Sequence, residues 1–158
     1  MKQIKMFIET EYKGRPESGE GKYITLLEYT LKNGTPHTKQ YEGHLNNTTN
    51  NRLTIHSVIC GFSHLTTECE VEIYLNNPYV AETIKQQRYY EWAITGWVTR
   101  DKPIKNRDLW EQMIEYTDKH MIYTKQVRGS SYSMVLQSQI NKMEIDPVED
   151  RLEESHGA

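Results

Sequence analysis

Apolar and polar positions alternate through the first third of the chain, and the period changes after residue 46. Between Lys2 and Glu11, Ile4, Met6 and Ile8 stand two apart with Phe7 between them, which predicts a strand. Tyr12 to Gly21 contains KGRPESGEG, and its glycines and proline predict a loop. Lys22 to Leu31, KYITLLEYTL, predicts a second strand. Asn33-Gly34 is the strongest short hairpin signal in the chain, with Thr35 to Tyr41 as the returning third strand. Leu53, Ile55, Val58, Ile59, Phe62 and Leu65 then repeat at about 3.6 residues, so a helix is expected from about Asn50 to His64. Glu70 to Leu75 predicts a fourth strand, ended by Asn76-Asn77-Pro78. A helix from about Pro78 to Arg88 follows, with Pro78 suited to its first turn. Tyr89 to Trp97 reads as a second helix or as a continuation, and Gly96 and Pro103 interrupt it. Asn106-Arg107-Asp108 offers a polar start for another helix, with Leu109, Met113 and Tyr116 on one face. Met121 to Val127 predicts a fifth strand, Arg128 to Tyr132 a loop, and Ser133 to Met143 a last helix. Three strands in a meander followed by strand–helix units predict a mixed sheet with helices packed on it.

Composition narrows this picture modestly. The 158 residues suit one domain with a core of useful size, and 1–145 is the expected domain. Asp146 to Ala158 is acidic and polar, and is expected to be a disordered tail. A net charge of −3 gives no global basic field that would demand nucleic acid. No run approaches the ~18 consecutive apolar residues of a membrane span, and the N-terminus lacks a secretory pattern. A cytoplasmic location is therefore expected, with Cys60 and Cys69 as reduced thiols. Cys60 falls on the buried face of its helix, as a small core hydrophobe. Six His residues lack zinc-ligand spacing. Eleven Tyr and three Trp against two Phe supply amphipathic aromatics, suited both to half-buried surfaces and to packing.

Four stretches resemble the ribonuclease HI family. The strongest is TTNNR, Thr48 to Arg52, at the opening of the first helix. EIYLNNPYV, Glu72 to Val80, resembles that family's strand ending in a polar turn before Tyr-Val. GWVTRDKPIKNRDLW, Gly96 to Trp110, resembles its Gly-Trp, Lys-Pro-x-Lys-Asn-x-Asp-Leu-Trp segment. KGRP, Lys13 to Pro16, resembles its Gly-Asn-Pro turn more weakly. All four occur in family order across about residues 4 to 130. The resemblance implies an α/β, RNase H-like fold. Its five-stranded mixed sheet would join a three-strand antiparallel meander to two parallel strands, with helices on both faces.

The chemistry that the resemblance implies needs clustered carboxylates, because hard cations such as Mg²⁺ want oxygen ligands and negative charge. Two such metals clamp the attacking water and the leaving oxygen of a phosphodiester. Carried over one at a time, the family's first Asp falls on Glu9, its Glu on Thr54, and its second Asp on Asn76. Its last Asp follows a Lys-Gly-His loop; here VRGSSYSMVLQSQI puts Ser130 at the loop histidine, with no acidic residue between Arg128 and Asn141. With Glu9 the one carboxylate kept, no intact catalytic set, no metal site and no cofactor are expected; Mg²⁺ belongs only to residual activity. A rebuilt cluster from Glu11, Glu28, Glu72 or Asp101 is the alternative, although Glu11 reads better as a solvated strand-end charge.

The binding surface implied by the resemblance is better kept. Thr49, Asn50, Asn51 and Arg52 would face phosphates and 2′-hydroxyls at a helix entrance. The bland alternative has equal weight: Thr and Asn cap helices, and Arg52 can pair with a neighbouring carboxylate. Trp92, Trp97, Arg100, Lys102 and Lys105 match the family's basic protrusion. Ala93, Ile94 and Thr95 replace the cations expected between the two tryptophans, which weakens phosphate attraction and adds an apolar patch beside Tyr89 and Tyr90. The tryptophans also read as packing anchors, and Asn76, Asn77 and Tyr79 as turn and cap residues. The leading expectation is a catalytically inactive RNase H-like module that binds RNA–DNA hybrid or double-stranded nucleic acid. The alternatives are a protein-interaction module using the Tyr89–Trp97 patch, and residual metal-dependent ribonuclease H activity.

Overall fold

A computed structural model of the chain describes residues 1–126 and 132–144. Three long strands form an antiparallel meander: β1 (Lys2–Gly14), β2 (Gly19–Thr30) and β3 (Pro36–Thr48). Helix α1 (Asn50–Ser63) leads to β4 (Cys69–Leu75), which lies parallel to β1. Helices α2 (Pro78–Gln86) and α3 (Arg88–Ile94) follow, then a small antiparallel pair, β5 (Val98–Thr99) and β6 (Lys102–Pro103). Helix α4 (Arg107–Lys119) returns the chain to β7 (Met121–Gln126), parallel to β4, and α5 (Ser133–Lys142) closes the described part. The main sheet has five strands in the order β3-β2-β1-β4-β7. The expected mixed sheet with helices on both faces is what forms.

The apolar pattern of β1 explains the two layers. Ile4, Met6 and Ile8 point to one face, where they join Ile55, Val58, Phe62, Val80, Leu109 and Trp110 in the larger core. Phe7 points to the other and packs with Ile24, Leu26, Leu136 and Ile140 under α5. A central strand covered on both faces reads as a continuous apolar run, hence the Phe7 that broke the alternation. Lys22, opposite Glu11 on β1, fixes the end of α5: its Nζ donates to the carbonyls of Ile140 and Met143 at 3.1 Å each.

The elements differ from expectation in three places, and one open alternative is resolved. The loop expected from Tyr12 to Gly21 shrinks to a turn closed by Arg15 N–H donating to Ser18 O, because β1 and β2 continue to Gly14 and Gly19. There the backbones are so close that a Cβ on Gly14 would lie 2.5 Å from Gly19 Cα. The two glycines make strand pairing possible there instead of breaking it. Strand β3 runs to Thr48, past the expected Tyr41, because Leu45 packs on Tyr23 and Leu53. The polar run Asn46 to Arg52, NNTTNNR, therefore belongs half to a strand and half to a helix entrance. Gln87 adopts a left-handed conformation (φ 52°), so α2 and α3 are separate helices. The β5–β6 pair was not expected. Val127 to Ser131, with Arg128 and Ser130 among them, and the segment from 145 to 158 lie outside the described residues.

Candidate functional site

The entrance of α1 is built from its own polar residues. Thr49 is the N-cap, in an extended conformation, and its Oγ1 accepts from Arg52 N–H at 3.1 Å. Asn50 opens the helix and is exposed. Asn51 Oδ1 accepts from the buried Asn77 Nδ2 at 2.9 Å, while Asn77 Oδ1 accepts from Val80 N–H at 3.0 Å and caps α2. One side chain thus locks the starts of two helices together. Thr54 is 2% exposed; its hydroxyl donates to Asn50 O at 2.8 Å and lies 3.5 Å from Asn77 Nδ2. That hydroxyl is committed to the backbone one turn back.

Arg52 leaves α1 toward α4. Its Nη1 and Nη2 donate to Asp108 Oδ1 and Oδ2 at 2.9 and 2.6 Å, and Nη1 also reaches Asn106 Oδ1 at 3.3 Å. The guanidinium holds the Asp108 carboxyl below the usual carboxylate range, and Asp108 in turn raises Arg52. Parallel two-oxygen contacts of this kind are the strong, directional form of an ion pair. Asn106 reaches the start of α4 in a left-handed conformation, φ 64°. The clamp ties the α1 entrance to the segment that follows β6.

The positions matched to metal ligands do not form a carboxylate cluster. Glu9 pairs with Ile24 across the sheet, and extending the β1–β4 register two residues past Phe7–Tyr74 sets it opposite Asn76. Burial pushes the Glu9 carboxyl up. Among the described residues no donor is paired with it. Thr54 and Asn76 offer neutral oxygens at the other two matched positions. Three of the alternative carboxylates are each engaged with a partner. Glu11 pairs with Lys22 at 3.4 Å and Lys13 at 3.5 Å, Glu72 accepts from Tyr74 Oη at 2.6 Å, and Glu28 accepts from Tyr132 Oη. Asp101 is exposed in the β5–β6 turn. Among the described residues no group of three His, Cys, Asp or Glu side chains is placed to hold a metal ion.

The protrusion around α3 and the β5–β6 pair divides into packing and surface. Trp97 is 7% exposed; its N–H donates to Trp92 O at 2.7 Å, its carbonyl accepts from Ile104 N–H at 2.9 Å, and the Arg107 guanidinium lies 5.6 Å over its ring. Trp92 is half-buried with its ring at an edge-on 6.0 Å from Trp110, which stacks on buried Tyr89. Tyr90 donates to Asp118. Little of either tryptophan is left to meet a ligand. Arg100, Lys102 and Lys105 are exposed, as are Ile94 (86%) and Val98. An open groove of about 430 Å³ runs between α3 and β5, with Arg88, Trp92, Val98 and Arg100 on its walls. The sequence offers Arg52 a carboxylate partner without naming it, and Asp108 reads there only as part of a helix start. Asn77 likewise reads as a cap, without its bond across to α1. Long-range partners of this kind leave no local signal.

A five-stranded mixed sheet in this order, with α1 packed across β2 and β1, defines an RNase H-like domain. The RNase H family model matches residues 1–152. The "Ribonuclease H" of Lachnoclostridium phytofermentans is 30% identical over 128 residues, covering 80% of this chain and 80% of that protein. The chain belongs to the RNase H family. Among solved structures, LC9-RNase H1, described as a type 1 RNase H with the type 2 active-site motif, is 20% identical with a TM-score of 0.73. That similarity covers 96% of this chain and 80% of the other. LC11-RNase H1, solved in complex with an RNA/DNA hybrid, is 13% identical with a TM-score of 0.59, covering 88% of this chain and 94% of that one. Among the described residues no helix is long and apolar enough to cross a membrane.

Proposed function

We propose that this RNase H family member binds an RNA–DNA hybrid without cleaving it and without a metal cofactor. The observation that carries the reading is the contrast inside one stretch. The α1 entrance is braced, with Thr49 capping and Asn51 tied to Asn77, while Thr54 falls where the resemblance implies a metal-binding carboxylate. Asn76 repeats the substitution at the end of β4, and no carboxylate of Ser133–Lys142 replaces the family's last one. The exposed Asn50 and the first backbone amides of α1 would face phosphates and sugars, which recognises duplex shape more than sequence. Arg100, Lys102 and Lys105 would supply the salt-dependent attraction to the other strand. The hybrid-bound LC11-RNase H1, similar in fold, makes this ligand the first to try.

The exposed Ile94 and the groove beside it favour a second reading, a protein contact within the Tyr89–Trp97 stretch through Ile94 and neighbouring Val98, since Tyr89 and Trp97 themselves are buried. Hybrid binding measured in EDTA, beside cleavage with Mg²⁺ or Mn²⁺ at high protein concentration, separates the readings. Binding without cleavage supports the first. Cleavage replaces it with a residual ribonuclease H. Neither binding nor cleavage leaves the protein-contact reading, to be tested by loss of a captured partner in Ile94→Asp.

A further inference from the structure

Two oxygens of Asp108 occupy two arms of the Arg52 guanidinium at 2.9 and 2.6 Å, and Asn106 Oδ1 takes a third direction at 3.3 Å. A phosphate would use the same fork, since carboxylate and phosphate both match guanidinium two oxygens at a time. The pair is not sealed away: the side chains are 35% and 56% exposed, so a backbone phosphate could reach Arg52 if Asp108 let go. What keeps Arg52 from a phosphate is occupancy by a resident anion, not burial. On the hybrid-binding reading above, we propose that Asp108 is a positioning residue for the ligand. It neutralises Arg52 and keeps that side chain as a brace between the α1 entrance and the protrusion, so Arg52 makes no phosphate contact even in the complex.

The geometry around the pair supports a brace. Arg52 enters from a helix whose cap accepts its own backbone N–H, and Asp108 sits in the first turn of α4 directly after the protrusion carrying Arg100, Lys102 and Lys105. The neighbouring Arg107 is engaged separately, with Glu111 at 2.5 Å. The clamp therefore sets the distance between the two surfaces that the ligand must bridge, and adds no net charge to either.

The test is hybrid affinity of the full chain across a salt series, for the wild type, Asp108→Asn, Arg52→Gln and the double variant. A duplex contact with one more phosphate steepens the log–log salt dependence by about 0.9. Asp108→Asn frees Arg52 and is expected to steepen the slope by about that amount. Arg52→Gln is expected to weaken binding several-fold by the same factor at every salt concentration, with the slope parallel to wild type. The double variant should return to the wild-type slope. A merely structural pair would lower the melting temperature in all three variants and move no slope. Arg52→Gln flattening the slope by about 0.9 would overturn the proposal, because Arg52 would then already hold a phosphate. An unchanged slope in Asp108→Asn would overturn it too. A readout that needs no variant is the carboxyl titration of Asp108 by NMR with hybrid bound. It should stay below the usual range; a return to the ordinary value means that Arg52 has moved to the ligand and the proposal is wrong. Wild type failing to bind at low salt removes the hybrid reading itself. In that case binding gained by Asp108→Asn retains the occupancy argument, and no gain removes it.

Discussion

Asn77→Ala tests how the α1 entrance is held. Asn77 is 6% exposed and serves two helices: its Oδ1 caps α2 through Val80 N–H at 3.0 Å, and its Nδ2 donates to Asn51 Oδ1 at 2.9 Å. Removing an Asn cap costs about 1 kcal/mol. Removing a part-buried amide pair costs about 1 kcal/mol more, with a further fraction for the Asn51 oxygen left without its donor. The 3.5 Å approach to Thr54 is too long to add much. The expected loss is about 2–3 kcal/mol, which for a domain of this size lowers the melting temperature by roughly 4–12 °C. Asn77→Ser keeps an oxygen for the cap but cannot span to Asn51, so it should recover about 1 kcal/mol. Urea unfolding with constant slope is the assay. A loss below about 0.5 kcal/mol for Asn77→Ala, the scatter of ordinary surface changes, refutes the idea that this side chain braces the entrance.

Glu9→Gln should stabilise the protein at neutral pH, because burial raises the Glu9 carboxyl and nothing among the described residues compensates the charge. A raised carboxyl binds its proton more tightly in the folded state, so the gain is full above the raised value and vanishes as pH falls below the ordinary carboxylate value. Matched urea curves across pH 4 to 8 check it, and no stabilisation at neutral pH means a hidden partner for Glu9. His120 gives the opposite profile: its Nδ1 accepts from Cys69 N–H at 3.0 Å, and burial, then Lys119, lowers its pKa. Its contribution is full above the ordinary histidine value near 6.5 and is lost as pH falls through the lower folded value. His120→Gln should flatten that part of the pH–stability curve; an unchanged curve assigns the dependence elsewhere, His64 being the next candidate. Gly61→Ala forces a Cβ to 2.6 Å from Met6 Cε; the crowding is partly relieved by the flexible end of Met6 and offset by about 1 kcal/mol of helix propensity, so a net cost of about 0–2 kcal/mol is expected, read by thermal melting.

The sheet was legible because burial alternates along β4 and because β1 and β2 carry compact apolar runs covered on both faces, and helix α1 because its apolar period faces one layer. Its start at Asn50 was placed correctly by the Thr/Asn cap chemistry. The Gly14–Gly19 pairing was not legible, since glycine in a sequence signals breakage and closeness alike. The reach of β3 to Thr48 depends on Leu45 meeting Tyr23 and Leu53, contacts that no local window contains. The β5–β6 pair is two residues a side, too short for any period to register. At the site, residue types told which positions lacked carboxylates. They left open whether Arg52 faced a ligand or a carboxylate, and only the fold brought Asp108 to it.

The central claim is that the RNase H scaffold here grips a hybrid whose cleavage it cannot catalyse. A labelled RNA–DNA hybrid incubated with the full chain, once in EDTA and once in Mg²⁺ or Mn²⁺, tests it most directly. The account predicts salt-sensitive binding in EDTA, weakened when Lys102 and Lys105 are changed to Ala, and intact RNA with either metal. Metal-dependent cleavage of the RNA strand that is lost in Glu9→Gln would contradict it.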